Sequence, residues 1–232
     1  ISRLEEIETK QASTVGTESE LSKFSYYKND TSKEVTLRQY TNTTEISLTI
    51  HSKYLIGGIQ YSTVIDRGTN VFIKDSSTNS LKNITFQDGI VWKGSLDYNF
   101  RGCTNIETVN FGNIEFTGYE STWGGSNTHT SMSGMFSNCK NLKSVNFNNA
   151  NFEIITDMSS MFDECTALTT IDFGNFTGGA TVDVARMFNG CTALGRIDSW
   201  NIINSTNMNR MFDGCTALTT VNFGNFAGNN VT

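Results

Sequence analysis

The sequence predicts an α/β repeat fold, a solenoid of parallel strands and short helices that follows a small β-rich module. The first observation is an internal repeat, since "MFDECTALTTIDFGNF" (161–176) returns as "MFDGCTALTTVNFGNF" (211–226). The second is a column of cysteines at intervals of 36, 26, 26 and 24 residues, each preceded three positions earlier by phenylalanine. The cysteines are Cys103, Cys139, Cys165, Cys191 and Cys215. Repeats of this length are typical of solenoids.

The helix of each repeat is predicted from the first half of the repeated stretch. Apolar residues at i, i+3, i+4 and i+7 share one helix face, and here they are Met158, Met161, Phe162 and Cys165. Thr156 or Asp157 lies just ahead of this run and can cap the free amides at its start. The pattern therefore predicts a helix of about two turns in every repeat.

The strand is predicted from the second half, where Ile171 and Phe173 alternate with Asp172 as in a strand with one buried face. One repeat has too few apolar side chains to offset the entropy lost on ordering it, so it must stack on its copies with parallel strands. The earlier "LKNITF" (81–86) fits this half without a cysteine and is interpreted as a degenerate first repeat. The solenoid is predicted over residues 79–232, in an array expected to continue past the last residue.

Two segments are predicted ahead of the solenoid. Residues 1–24 form a helical or linker segment, in which Ile1, Leu4 and Ile7 are spaced for a helix face. Both the end of a coiled-coil stalk and a plain linker fit this spacing. Residues 25–78 hold several β-like stretches and are predicted to form a β-rich N-terminal capping module, because an uncovered first repeat would expose open strand edges.

Two columns of side chains are predicted to be structural. An asparagine follows the aromatic end of each strand by two positions, and its side chain is expected to bond its own loop and the next repeat. These asparagines are Asn113, Asn149, Asn175, Asn201 and Asn225. The cysteine column is predicted to consist of buried free thiols, because the apolar face needs a small side chain there and five aligned thiols cannot all pair.

The repeated motifs resemble a known family. "MSSMFDECTALTTIDF" (158–173) and "MNRMFDGCTALTTVNF" (208–223) are similar to the BspA-like leucine-rich repeats of bacterial and some protist surfaces, in the Met-rich variant M-x-x-M-F-x-x-C-x-x-L. The resemblance covers residues 99–232. It implies a right-handed solenoid with strands on one wall and a role in adhesion or host binding rather than catalysis. The proline common in many such repeats is absent from this chain.

Candidate binding residues are expected where the repeat is broken. The first cysteine interval exceeds the second by ten residues (36 − 26), and the excess falls in "TGYESTWGGSNTHTS" (117–131). Tyr119, Trp123 and His129 lie on this loop, and aromatic side chains on a projecting loop suit glycan stacking or protein contact. A loop folded back on the solenoid is the alternative. Trp200 replaces a glycine of the sister repeats and is a fourth candidate, either on the strand face or at a local bulge.

Composition and motifs argue against several classes of function. The net charge is −6, and acidic and basic residues are interspersed without a basic stripe, which argues against nucleic-acid binding. No apolar run is long enough for membrane insertion. The two histidines and the widely spaced cysteines indicate no metal site and no cofactor. Asp172 and Asp198 lie on the outward strand column without a third acid, which favours a solvated face. No catalytic triad or phosphate loop is present, so no enzyme is expected.

The sequence therefore predicts a non-catalytic interaction or adhesion module of a cell-surface protein, extracellular or surface-attached, that binds a protein or a glycan. The alternative is a structural or receptor-binding part of a trimeric phage or virion fibre. In that alternative the N-terminal helix would lie in the shaft and hold a homotrimer together. Oligomeric state distinguishes the two.

Overall fold

The structure is a computed structural model that describes residues 15–42, 44–66, 80–120, 126–127, 130–148, 150–174, 182–198, 200 and 205–223. Within these ranges the chain forms one short helix, α1 (Glu18–Leu21), and nineteen strands. The first nine strands are β1 (Phe24–Asn29), β2 (Glu34–Tyr40), β3 (Ser47–Ile50), β4 (Lys53–Ile56), β5 (Ile59–Asp66), β6 (Asn83–Phe86), β7 (Val91–Lys93), β8 (Thr108–Asn110) and β9 (Glu115–Thr117). The others are β10 (Tyr119–Glu120), β11 (Ser126–Asn127), β12 (Thr130–Ser131), β13 (Ser144–Asn146), β14 (Ile155–Asp157), β15 (Thr170–Asp172), β16 (Val182–Asp183), β17 (Arg196–Ile197), β18 (Ser205–Asn207) and β19 (Thr220–Val221).

Most strands stack in parallel along a solenoid, in which we call each turn of the chain a rung. One wall has the order β1-β2-β5-β7-β9, with β1 antiparallel to β2 and β4 forming an antiparallel hairpin with β5. A second, which we call the strand wall, has the order β3-β6-β8-β13-β15 and is parallel and in register throughout. A third row runs β12-β14-β16-β18, and β17 pairs with β19. The predicted parallel solenoid is confirmed. "LKNITF" contributes β6 to the strand wall, but β3 precedes it there, so its interpretation as the first repeat was wrong.

Two columns of aromatic rings fill the core along the solenoid. One stacks the phenylalanines that precede the cysteines, with ring centroids 5.1–5.7 Å apart and planes tilted by at most 7°. Its members are Phe100, Phe136, Phe162, Phe188 and Phe212. The other stacks the aromatic residues at the strand ends at 4.8–5.8 Å, and its members are Phe86, Phe111, Phe147, Phe173 and Trp200. These stacks tie each rung to its neighbours.

The segments predicted as short helices are runs of tight turns instead, and that prediction was wrong. In the rung of Cys165, the amide of Met161 donates three residues back to the Met158 carbonyl (3.3 Å). The next amide, that of Phe162, donates to the Met187 carbonyl of the following rung (2.8 Å). Alternate amides therefore join the rungs, which a helix would not allow.

Rung spacing explains this choice. The phenylalanine rings of the turn runs repeat every 5.1–5.7 Å, whereas packed helices lie about 8–10 Å apart. The turns require left-handed backbone at every fourth residue, as at Ser160 (φ 53°) and Glu164 (φ 60°). Glycine takes this conformation without strain, and the sister rungs place Gly190 and Gly214 directly before their cysteines.

The N-terminal region is β-rich, as predicted, but its separation as a module is not confirmed. Strands β2 and β5 continue into the first wall with β7, and β3 continues into the strand wall with β6. Helix α1 begins with a capping box between Thr17 and Glu20. The predicted helix face at residues 1–8, and with it the homotrimer expected to form through that helix, lies outside the described residues.

Candidate functional site

The inserted loop contains a β-hairpin. Strands β10 and β11 pair antiparallel, with Tyr119 opposite Asn127 and Glu120 opposite Ser126. The other strand pairs described after residue 80 are parallel. Trp123 falls between the two hairpin strands in sequence, and both it and His129 lie outside the described residues. The backbone of Tyr119 is placed at the start of β10, so one of the three predicted aromatic residues is located on the hairpin.

Both ends of the insertion are anchored to the same residue of the preceding rung. The Gly94 amide donates to the Thr117 carbonyl (2.8 Å), where the chain leaves the wall. The hydroxyl of Thr130, where the chain returns, donates to the Gly94 carbonyl (2.6 Å). Thr130 is buried and its amide also donates to Ile154 of the next rung (2.9 Å). The chain is therefore tied to the same residue of the preceding rung on both sides of the hairpin.

Trp200 is not an exposed binding residue, and that prediction was wrong. Its side chain is fully buried, stacked on Phe173 at 4.8 Å and edge-on to Phe188 at 5.7 Å. Its amide donates to the Asn222 carbonyl of the next rung (3.1 Å). The amide of Phe147 makes the equivalent bond to the rung that follows its own. Trp200 thus takes the place of the strand-end phenylalanine.

The cysteines form a column of free thiols, four of them buried and Cys215 half-buried. Each thiol after the first donates to the carbonyl of the phenylalanine one rung back, as Cys165 does to Phe136 at 3.1 Å. Burial raises the pKa of Cys103 to about 12 and raises the pKa of the other four thiols as well. The thiols therefore stay protonated, which keeps them as hydrogen-bond donors and makes them poor nucleophiles.

We expect Ellman's reagent to label the native protein slowly and at Cys215 first. The other four cysteines should react only when the rungs open, because a buried protonated thiol must first be exposed and ionised. Counting the released thiolate in native buffer and then in guanidinium chloride checks this. Cys215→Ala should remove the early phase, and rapid labelling of all five thiols in the native state would contradict the buried column.

Of the predicted asparagine column, Asn113 is the member that the structure describes, and it is exposed. Its amide donates to Asp88 (2.8 Å) and its carbonyl accepts from Gly89 (3.2 Å). Asn149, Asn175, Asn201 and Asn225 lie outside the described residues. The cross-rung bonds expected of this column are made one position earlier by Asn148, whose side chain donates to Asn110 (2.9 Å) and to the Phe111 carbonyl.

Each turn run begins with a polar residue, and these residues form a column that the sequence largely failed to predict. Its side-chain oxygens accept from the amide two residues later at 2.8–3.1 Å. The members are Ser95, Ser131, Asp157, Asp183 and Asn207. Asp157, one of the two residues predicted to cap a helix, accepts this bond at the start of a turn run instead. The available signal was a Ser, Asp or Asn five positions before each phenylalanine.

A chain of charges borders the strand wall. The Glu107 carboxylate lies between Lys82 Nζ (2.7 Å) and Lys143 Nζ (2.6 Å), one on each adjacent rung. The hydrogen bonds from Lys143 and then Lys82 lower the pKa of Glu107 to about 2. The carboxylate is therefore ionised at any ordinary pH.

Glu107→Gln is expected to lower the melting temperature at neutral pH and to have no effect in strong acid. Because the folded pKa of about 2 lies below the value of an unpaired glutamate, the ion pairs contribute above that ordinary value. The contribution is lost as the pH falls through the folded pKa. Thermal unfolding followed across the acid range measures the difference, with Glu153→Gln at an exposed glutamate as control. A melting difference that does not change with pH would contradict the pairing.

The described residues hold no group of three or more His, Cys, Asp or Glu side chains placed to bind a metal ion. No helix within the same part of the chain is long and apolar enough to cross a membrane.

Comparison with known proteins supports the fold. A leucine rich cell surface protein from Faecalibacterium prausnitzii A2-165 is 18% identical, with a TM-score of 0.50 over 86% of this chain and 52% of that one. The chain thus spans about half the length of that structure. A T. pallidum Leucine Rich Repeat protein is 14% identical, with a TM-score of 0.51 over 88% of this chain and 80% of that one. These likenesses show a leucine-rich-repeat solenoid.

At the level of sequence, no curated protein matches the chain. Residues 86–232, well over half of the chain, match the family described as "Mycoplasma protein of unknown function, DUF285". The matched range takes in the aromatic columns, the thiol column and the inserted hairpin. The chain belongs to the DUF285 family.

Proposed function

We propose that this chain is the non-catalytic interaction module of a BspA-like protein of the Met-rich variant, located outside the cell or attached to its surface. It binds a protein or a glycan through the hairpin inserted between β9 and β12. The observation that carries the proposal is this hairpin, an antiparallel insertion whose two ends are fixed to Gly94. A rigid scaffold that presents a loop with aromatic residues is a common way to build a recognition site.

The surface location is supported by the Faecalibacterium prausnitzii neighbour, which is named a cell surface protein. Support for a role without catalysis comes from the burial of the cysteines, which have raised pKa values and face carbonyl groups rather than solvent. Leucine-rich repeats offer extended surfaces rather than deep pockets, which suits the binding of a macromolecule.

The test is a binding screen of the purified chain against arrays of glycans and extracellular matrix proteins. Trp123→Ala should weaken any interaction found, by about tenfold or more if the indole is a central contact. The matched control is Tyr27→Ala, which removes an exposed aromatic side chain (60% exposed) on β1, outside the hairpin. Unchanged affinity in Trp123→Ala would rule out the hairpin as the binding site.

Light scattering tests the alternative of a trimeric fibre part. A module that acts alone should be monomeric at micromolar concentration and should bind its ligand in that state. A stable trimer, lost on deleting residues 1–8, would instead favour the fibre. Both outcomes can be read before any ligand is known.

A further inference from the structure

The outward side of the strand wall carries only uncharged polar side chains over four consecutive rungs. In each strand the alternate residues are buried, which fixes the direction of the others toward solvent. We call these outward residues the neutral array. Its members are Ser47, Thr49, Asn83, Thr85, Thr108, Asn110, Ser144 and Asn146.

The neutral array is regular because the strands pair in register. Ser47, Asn83, Thr108 and Ser144 form one column, and Thr49, Thr85, Asn110 and Asn146 form the other. Adjacent rungs lie about 4.8 Å apart, and the two columns are separated by two residues, about 6.6 Å. Each rung thus repeats the same pair of polar groups along the solenoid.

Hydrogen bonds between rungs hold four of these eight side chains in place. Asn83 Nδ2 donates to Ser47 Oγ (3.2 Å), and Thr108 Oγ1 donates to Asn83 Oδ1 (2.8 Å). In the other column Asn110 Oδ1 accepts from Asn148 Nδ2 (2.9 Å). Hydroxyl and amide groups keep further donors and acceptors after one such bond. A ligand would therefore meet ordered groups and lose less side-chain entropy on binding.

Charge is absent from the array itself. The two lysines at its border, Lys82 and Lys143, share the single carboxylate of Glu107, so one positive charge remains beside the array. The first charged residue in either column is Asp172, on the fifth strand of the wall. At the eight positions of the array itself a charged polymer would find no opposite charge, while an uncharged one would not have to displace any.

We propose that the neutral array binds an uncharged β-linked polysaccharide that lies along the solenoid, one sugar residue to each rung. The rung spacing is close to the length of one sugar residue in an extended β-linked chain. Successive sugars would therefore meet equivalent pairs of hydroxyl and amide groups. This proposal commits the partner to a neutral glycan, and it places that glycan on a surface separate from the hairpin, so each proposal can fail alone.

Calorimetric titration of the full chain with cellohexaose and chitohexaose tests the match of repeats. Because each sugar up to the fourth reaches a further rung of the array, the hexasaccharides should bind at least about tenfold more tightly than the corresponding disaccharides. Hexamannuronate, a β-linked chain with the same number of sugars but with charged carboxylates, should bind more weakly than both. Failure of both neutral hexasaccharides to bind, affinity independent of length, or equal affinity for hexamannuronate would each overturn the proposal.

The matched variants change one atom in each side chain. Asn110→Asp with Asn146→Asp adds charge to the array and should weaken hexasaccharide binding by about tenfold. Asp172 occupies the same column in the next rung and accepts an amide bond (2.8 Å) equivalent to the one that Asn146 accepts, so this column already accommodates a carboxylate. The control is Asn209→Asp, at an exposed position in the last turn run.

Three outcomes separate the two surfaces. Loss of binding in the array variants but not in Trp123→Ala supports the neutral array. Loss in Trp123→Ala alone overturns this inference and supports the hairpin as the binding site. Equal loss in the array variants and in Asn209→Asp overturns it as well, because a general effect of charge would then explain the result.

Discussion

Phe162→Ala is expected to lower the free energy of unfolding by about 3–5 kcal/mol, as is usual for a buried phenylalanine. The ring is fully buried and stacks on both sides, on Phe136 and Phe188, with centroids 5.5 Å away in each direction. The substitution therefore opens a cavity and also breaks two ring contacts within one continuous column. Since each rung is stable only through its neighbours, the cost falls on two interfaces at once.

Denaturant titration followed by circular dichroism measures this effect, and Phe212→Ala is the matched control. Phe212 occupies the same position in the last described rung, where its ring is only half-buried and stacks in parallel on Phe188 alone. The control should cost clearly less than Phe162→Ala. Equal costs would show that stacking between rungs does not hold the solenoid together.

Trp200→Ala is expected to be as damaging as the loss of a core phenylalanine, about 3–5 kcal/mol. The indole fills the strand-end position of its rung, stacked on Phe173 and edge-on to Phe188. Trp200→Phe should cost much less, because phenylalanine fills this position in the preceding rungs and only the difference in ring volume is left empty.

Thermal unfolding of the two variants separates a packing role from a binding role. If Trp200 acts through packing, alanine lowers the melting temperature strongly, phenylalanine restores most of it, and ligand affinity stays unchanged in the phenylalanine variant. A variant that melts like the parent but loses ligand would show instead that the indole reaches the surface.

The solenoid could be predicted from the sequence because the residues that face its core recur in every repeat. Phenylalanine and cysteine keep a fixed separation in five repeats, and alternation around Val109, Val145 and Ile171 marks strands that do pair in register. Such a pattern reports which side chains face the core. It also located the insertion between β9 and β12, since only a change in repeat length was needed to find it.

The helices could not be excluded by the same evidence. Met158, Met161, Phe162 and Cys165 are all fully buried, as a helix face would require. A run of four-residue turns buries the same positions, so the apolar spacing fits both. A helix and a turn run differ in the left-handed backbone that the turns require at every fourth residue. Glycine at positions 190 and 214 indicates this conformation in the sequence, whereas Glu164 adopts it without being a residue type that indicates it.

The candidate site was predictable only in part. Trp200 follows its cysteine by nine positions rather than the eight of Phe173, and this shift by one residue placed it in line with a glycine of the sister repeats. Burial, not sequence register, identifies it as a core residue. The neutral array has no sequence motif of its own. Its lack of charge follows from which residues the strand register places side by side.

The alternating amides of the turn runs restrict how such a chain can change length during evolution. One residue inserted within a run would exchange the two kinds of amide after it. Amides that bond the neighbouring rung would face their own turn, and amides that bond within the turn would face the neighbouring rung. Insertions and deletions are therefore tolerated mainly between the strand end and the residue that caps the next run. The hairpin after β9 lies in that interval. Such places allow new loops to be acquired without rebuilding the scaffold, and related chains should differ in length there first.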